Sequence, residues 1–85
     1  MAKVTIYTTP ICPYCQMAKQ LLARKGATFD EIDVMGNPDL RARMEARSGR
    51  NTVPQIWIGD QHVGGCDDLY ELDVAGGLEP LLAAT

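Results

Sequence analysis

The sequence predicts a small α/β domain with the element order β-α-β-α-β-β-α. Three observations carry that expectation: the apolar pattern switches repeatedly between a two-residue and a 3.6-residue period, turn residues fall at the switches, and no linker, repeat or low-complexity tract divides the chain. With 85 residues there is room for one modest core, so residues 1–85 are read as a single domain.

Each element has its own signal. "KVTIYT" (3–8) puts Val4 and Ile6 on one face and Thr5 and Tyr7 on the other, which suits a strand covered on both sides. From Pro13 to about Lys25, Tyr14, Met17, Ala18, Leu21 and Leu22 recur at helical spacing and Gly26 supplies the stop. "TFDEIDV" (28–34) is rich in β-formers but carries three acidic residues, the mark of an edge strand protected against edge-to-edge association. The βαβ unit so formed should hold its two strands parallel. Asn37-Pro38-Asp39 reads as an N-cap, a first-turn proline and an acidic first turn, opening a helix with Leu40 and Met44 inward that runs to Ser48-Gly49. "VPQIWI" and "QHVG" flank Gly59-Asp60 as a hairpin, and "DDLYELDVAGG" with "LEPLLAA" gives a helix, a Gly-Gly stop and a last helical turn.

Composition excludes several function classes. Hydrophobic residues make up 46% and charged residues 22%, and no apolar run approaches the roughly 18 residues that span a bilayer, so a membrane protein is not expected. A net charge of −3 lacks the basic face that nucleic acid requires. "MAKVTIYT" enters strand-like alternation at once without a secretory pattern, which predicts a cytoplasmic protein. In a reducing compartment three cysteines are too few for a disulfide-stapled framework, so the close pair is read as chemical.

That pair is Cys12-Pro13-Tyr14-Cys15, set between the first strand and the first helix. If the helix starts at Pro13, Cys12 is its N-cap and the unsatisfied first-turn N–H groups point at its sulfur, which favours the thiolate and makes Cys12 the nucleophile. Cys15 lies one turn further in, close enough for a disulfide yet shielded, which suits the resolving role. By residue type alone Cys12, Cys15, His62 and Cys66 could form a Cys3His zinc set, but the pair's place at a strand-to-helix joint and the position of His62 in a hairpin strand, where a surface imidazole is expected, speak against metal. Cys66 is read as a small packed residue at a helix start.

Taken with "TVP" (52–54) and "GGCDD" (64–68), the "CPYC" motif makes the chain resemble the glutaredoxins of the short bacterial dithiol kind, over nearly its whole length. The resemblance implies a thioredoxin-like fold, with a four-stranded mixed sheet in the order β2-β1-β3-β4 flanked by helices. It also implies an enzyme that uses glutathione to reduce protein disulfides and glutathione mixed disulfides, through Cys12 and Cys15. No tightly bound cofactor is implied, and the expected partners of this monomer are glutathione and disulfide-containing or glutathionylated proteins, ribonucleotide reductase among the family's. A redoxin served directly by a thioredoxin reductase is the neighbouring alternative, and an iron–sulfur or zinc carrier the more distant one.

The pocket implied by the resemblance also has a physical reading. In the family the proline matching Pro54 is cis, which leaves the Val53 backbone beside Thr52 open to pair with an extended peptide. Gly65 allows close approach, the Cys66 and Asp67 N–H groups form an anion site at a helix start, and Asp67 can take an ammonium, while Asp68 is read as plain helix-terminal charge. Tyr14 walls the groove, and Arg41 matches the family's contact to the glycine carboxylate, although Glu45 four residues on could hold it in a surface pair. Trp57 is read as sheet packing. Thr9 departs from the family pattern, standing three residues before Cys12 where many members carry a lysine.

Overall fold

A mixed sheet in the order β2-β1-β3-β4 forms the centre of the molecule, β1 running parallel to β2 and antiparallel to β3. The computed structural model describes residues 2–84. Its elements are β1 (Val4–Thr8), α1 (Pro13–Arg24), β2 (Asp30–Asp33), α2 (Pro38–Ser48), β3 (Gln55–Ile58), β4 (Gln61–Gly64), α3 (Cys66–Val74) and α4 (Leu78–Ala83). The expected order is present, with the last helical turn formed as a six-residue helix of its own. Among the described residues no helix is long and apolar enough to cross a membrane.

The period-2 alternation of β1 and β3 feeds two unequal cores. Val4, Ile6, Ile56 and Ile58 join Ala18, Leu21 and Leu22 of α1, Leu69 of α3, and Leu78 and Leu82 of α4 in the larger one. On the other face Tyr7 and Trp57 pack with Val34 and with Met44 of α2. Two members of the expected α1 stripe are not in either core: Tyr14 is 59% and Met17 43% exposed, because the buried face of the helix is confined to Cys15, Ala18, Leu21 and Leu22.

Local chemistry sets the ends of the elements. The Asn37 side chain accepts from the Leu40 N–H, and Gly49 closes α2 in the left-handed region at φ +71°, which glycine adopts without a Cβ clash. Strand β3 starts at Gln55, two residues later than the pattern of "VPQIWI" suggests, since Pro54 has no N–H for the ladder. The Val53–Pro54 peptide is cis. His62, expected at the surface, is half-buried against the Trp57 ring at 4.6 Å between centroids, and Trp57 also carries Arg47 over its face at 4.5 Å.

Candidate active site

The Cys12 residue has the extended backbone of an N-cap, and its sulfur takes the place a serine or aspartate oxygen would hold. The Cys15 N–H donates to Cys12 Sγ at 3.1 Å, and the sulfur lies 3.8 Å from the Val53 carbonyl. Pro13 occupies the first helical position, where no N–H is needed. The first turn of α1 therefore directs an orphan amide at a half-exposed sulfur, an arrangement that favours negative charge on it.

The second cysteine differs in every respect. Cys15 is fully buried, and its thiol is pushed up to about 12, first by burial and next by its hydrogen bond to Cys12; the Thr9 backbone and the Lys19 charge pull it partly back. Both thiols are free, as is that of the buried Cys66. Burial, then Asp67 and Cys12, raise the Cys66 thiol, so it stays protonated.

Beside the Cys12–Cys15 pair lies an open hollow of about 210 Å³. Tyr14 borders it on the α1 side, Thr52, Val53 and Pro54 form one wall, and Gly65, Cys66 and Asp67 at the start of α3 form the other. Among the described residues the Val53 N–H has no hydrogen-bond partner. Residues from three separate stretches, legible in the sequence as motifs, thus meet in one groove. Thr9 and Arg41 do not line it: they border a neighbouring hollow with Val34 to Pro38, and Arg41 is engaged with the Asn51 carbonyl at 2.6 Å and with Glu45 at 3.5 Å.

The cation that does line the groove is Arg50, and it was not singled out from the sequence. Its guanidinium donates to Asp68 Oδ2 at 2.7 Å, and the same oxygen accepts from the Gly65 N–H at 2.9 Å. Arg50 first, then the Gly65 N–H, hold the Asp68 carboxyl below its ordinary range. Asp68 is therefore more than helix-terminal charge: it caps α3 and pins the groove's arginine. The signal available in the sequence was an acidic residue three positions after a glycine that precedes a helix.

Among the described residues no three His, Cys, Asp or Glu side chains converge to hold a metal ion. His62 Nε2 lies 2.7 Å from Gln55 Oε1, which accounts for the ring without a metal. Burial first, then Arg50, lower its basicity.

A half-exposed sulfur capping a helix, a buried thiol one turn behind it and a peptide-sized groove alongside, all on this sheet, define a thiol oxidoreductase of thioredoxin-like fold. Comparison with known proteins narrows the class. A family model described as Glutaredoxin matches residues 4–63. The chain is 60% identical to a glutaredoxin of Pseudomonas aeruginosa over 99% of its own length and 100% of that protein's, and 60% identical to glutaredoxin 3 of Escherichia coli K12 over 96% and 99%. It superposes on the solution structure of a Brucella melitensis glutaredoxin with a TM-score of 0.86 at 65% identity, covering 96% of this chain and 89% of that one. A crystal structure of a buckwheat glutaredoxin–glutathione complex matches with a TM-score of 0.86 at 32% identity, covering 93% and 74%. The chain belongs to the glutaredoxin family, whose members are glutathione-dependent oxidoreductases.

Proposed function

We propose that this protein reduces protein disulfides and glutathione mixed disulfides, with Cys12 as nucleophile, Cys15 as resolving thiol and glutathione as reductant. The observation that carries the division of labour is the contrast between the two sulfurs, one half-exposed and capped by an amide, the other fully buried and held as a thiol. Only the first can meet a substrate disulfide in line.

On a glutathionylated protein, the Cys12 thiolate attacks the glutathione sulfur, the protein thiolate leaves and takes a proton from water, and Cys12 is left joined to glutathione. A second glutathione thiolate attacks the glutathione sulfur of that mixed disulfide, releasing Cys12 and oxidised glutathione. On a protein disulfide, the Cys12 thiolate attacks one sulfur and the other leaves as a thiolate that takes a proton from water. Cys15 then loses its proton to solvent and attacks the Cys12 sulfur of the mixed disulfide, freeing the second protein thiolate and forming a Cys12–Cys15 disulfide that two further glutathiones reopen.

The groove supplies the recognition. The tripeptide's cysteinyl unit pairs with the Val53 backbone beside Thr52 and Pro54, its γ-glutamyl carboxylate meets the Cys66 and Asp67 N–H groups at the α3 start next to Gly65, and Asp67 takes its ammonium. Tyr14 covers the sulfurs from the open side. For the glycine carboxylate the cation within the groove is Arg50, whereas Arg41 would have to leave Asn51 and Glu45 to reach it. The likeness to the buckwheat glutaredoxin–glutathione complex supports the ligand's identity. The protein would act as a monomer in the cytoplasm, without a tightly bound cofactor.

Cys12→Ser and Cys15→Ser separate the roles. Cys12→Ser should abolish turnover of every disulfide, while Cys15→Ser should keep glutathione-dependent removal of glutathione from a glutathionylated peptide and lose only the dithiol route. Equal loss of deglutathionylation in both variants would refute the assignment.

A further inference from the structure

Gln55 is a fully buried amide on the sheet face that otherwise collects Tyr7, Trp57, Val34 and Met44, and a buried polar side chain in apolar surroundings must have its hydrogen bonds met. Its nitrogen leads to Thr52 in the groove wall and its oxygen to His62 of β4. Gln55 Nε2 lies 3.0 Å from the Thr52 carbonyl and 3.3 Å from the Thr52 hydroxyl, and Gln55 Oε1 lies 2.7 Å from His62 Nε2. The Thr52 carbonyl can only accept, so the amide nitrogen must face it and the amide oxygen must face the imidazole. His62 Nε2 must then carry a proton. It does so in the imidazolium and in one neutral tautomer alike, so the link does not depend on the ionisation of His62.

We infer that Gln55 and His62 are positioning residues for the groove, joined in a one-directional hydrogen-bond chain that aims the Val53 N–H at the bound peptide. The Thr52 carbonyl and the Val53 N–H belong to one planar trans peptide and point in opposite directions. Holding the carbonyl inward, against Gln55, turns the N–H outward, and its neighbour in the chain, the Val53 carbonyl, faces Cys12 Sγ at 3.8 Å. Thr52 itself is exposed, and among the described residues this bond is the one that ties its carbonyl to the interior. His62 completes the chain by occupying the amide oxygen, without which the Gln55 side chain could rotate and release Thr52.

The inference rests on the glutathione reading of the groove, and its test separates the two. Turnover of one peptide is compared as its mixed disulfide with glutathione and with 2-mercaptoethanol, which has no backbone to pair. A parent protein that does not prefer the glutathione conjugate would overturn the groove reading and this inference together. Given that preference, His62→Leu should raise KM for the glutathione conjugate by about threefold to tenfold, the range of one net hydrogen bond, with kcat and the rate of Cys12 alkylation by iodoacetamide unchanged. His62→Gln, which can again donate to Gln55, should restore KM. Were His62 only a packing partner of Trp57, the order would reverse, with leucine tolerated and glutamine not, and that result, or equal impairment by both, would overturn the inference. Gln55→Met should give the same KM rise, and adding His62→Leu to it should cost nothing more; additive effects would show that the two residues do not act as one chain.

Discussion

Replacing Asp68 by alanine should lower stability by an amount that the structure lets one work out. Asp68 Oδ2 holds two partners, the Gly65 N–H at 2.9 Å and Arg50 at 2.7 Å. Loss of a first-turn capping contact costs typically about 1 kcal/mol. The ion pair joins side chains that are 47% and 37% exposed, so solvent screens it and its share is about 0.5 kcal/mol. For a domain of this size 1 kcal/mol corresponds to about 4–8 °C, so the melting temperature at pH 7 should fall by about 6–12 °C. Asp68→Asn keeps an acceptor for Gly65 and should fall by about half as much or less. The carboxyl is held low in the folded state, so its contribution is complete above its ordinary value of 3.8 and disappears as the pH falls through the lowered one; the parent and Asp68→Ala melting curves should converge in that acid range. Circular dichroism melts at pH 7 and pH 3, each at low and high salt, provide the measurement. A melting temperature for Asp68→Ala within about 2 °C of the parent at pH 7, or an asparagine variant as unstable as the alanine one, would refute the capping role.

Arg50→Ala should raise KM for a glutathionylated peptide by several-fold to about tenfold, and Arg41→Ala should leave it unchanged; the opposite pattern would move the carboxylate contact to Arg41. Asp67→Ala should raise KM by a similar factor without changing the rate of Cys12 alkylation, whereas a faster alkylation would mean that the Asp67 charge acts on the sulfur and not on the ligand. Because the Cys15 thiol is raised from 9.0 to about 12 on folding, the reduced protein should lose stability as the pH rises through that window, and Cys15→Ser should lose less; parallel urea midpoints from pH 8 to 11 would contradict it. Gly64 has φ +119° and a Cβ there would run into the Asp68 carboxylate, so Gly64→Ala should destabilise far more than Gly65→Ala, whose φ is −92°, and similar melting temperatures would show that Asp68 can move aside.

Where one residue type dictated one geometry, the sequence was enough. Pro13 after Cys12 fixed the start of α1, Asn37-Pro38 fixed that of α2, and the acidic β2 stands at a sheet edge as its charges required. The three motifs that meet in the groove were readable because each has a local backbone reason. Side chains that reach across the fold were not. Arg41 and Arg50 are both arginines near one helix, and only the packing of α3 against the 50–54 segment decides which one borders the groove. The Gln55–His62 contact spans two strands whose pairing carries a register shift between Ile56 and Trp57, so counting along the hairpin did not bring them together. Tyr14 and Met17 fitted a helical stripe, but periodicity does not say how far along a helix its neighbours extend.

The unequal cores on the two faces of the sheet have a dynamic consequence. Helix α1 buries Cys15, Ala18, Leu21 and Leu22, while α2 buries only Met44 completely. Regions with little buried apolar contact open at the smallest free-energy cost, so the amide protons of α2 and of the 49–54 segment that follows it should exchange with deuterated solvent well before those of α1. A tripeptide bridging that segment to the start of α3 binds only the closed form and must slow this exchange by mass action. Protection would then spread along α2, a helix none of whose residues lines the groove.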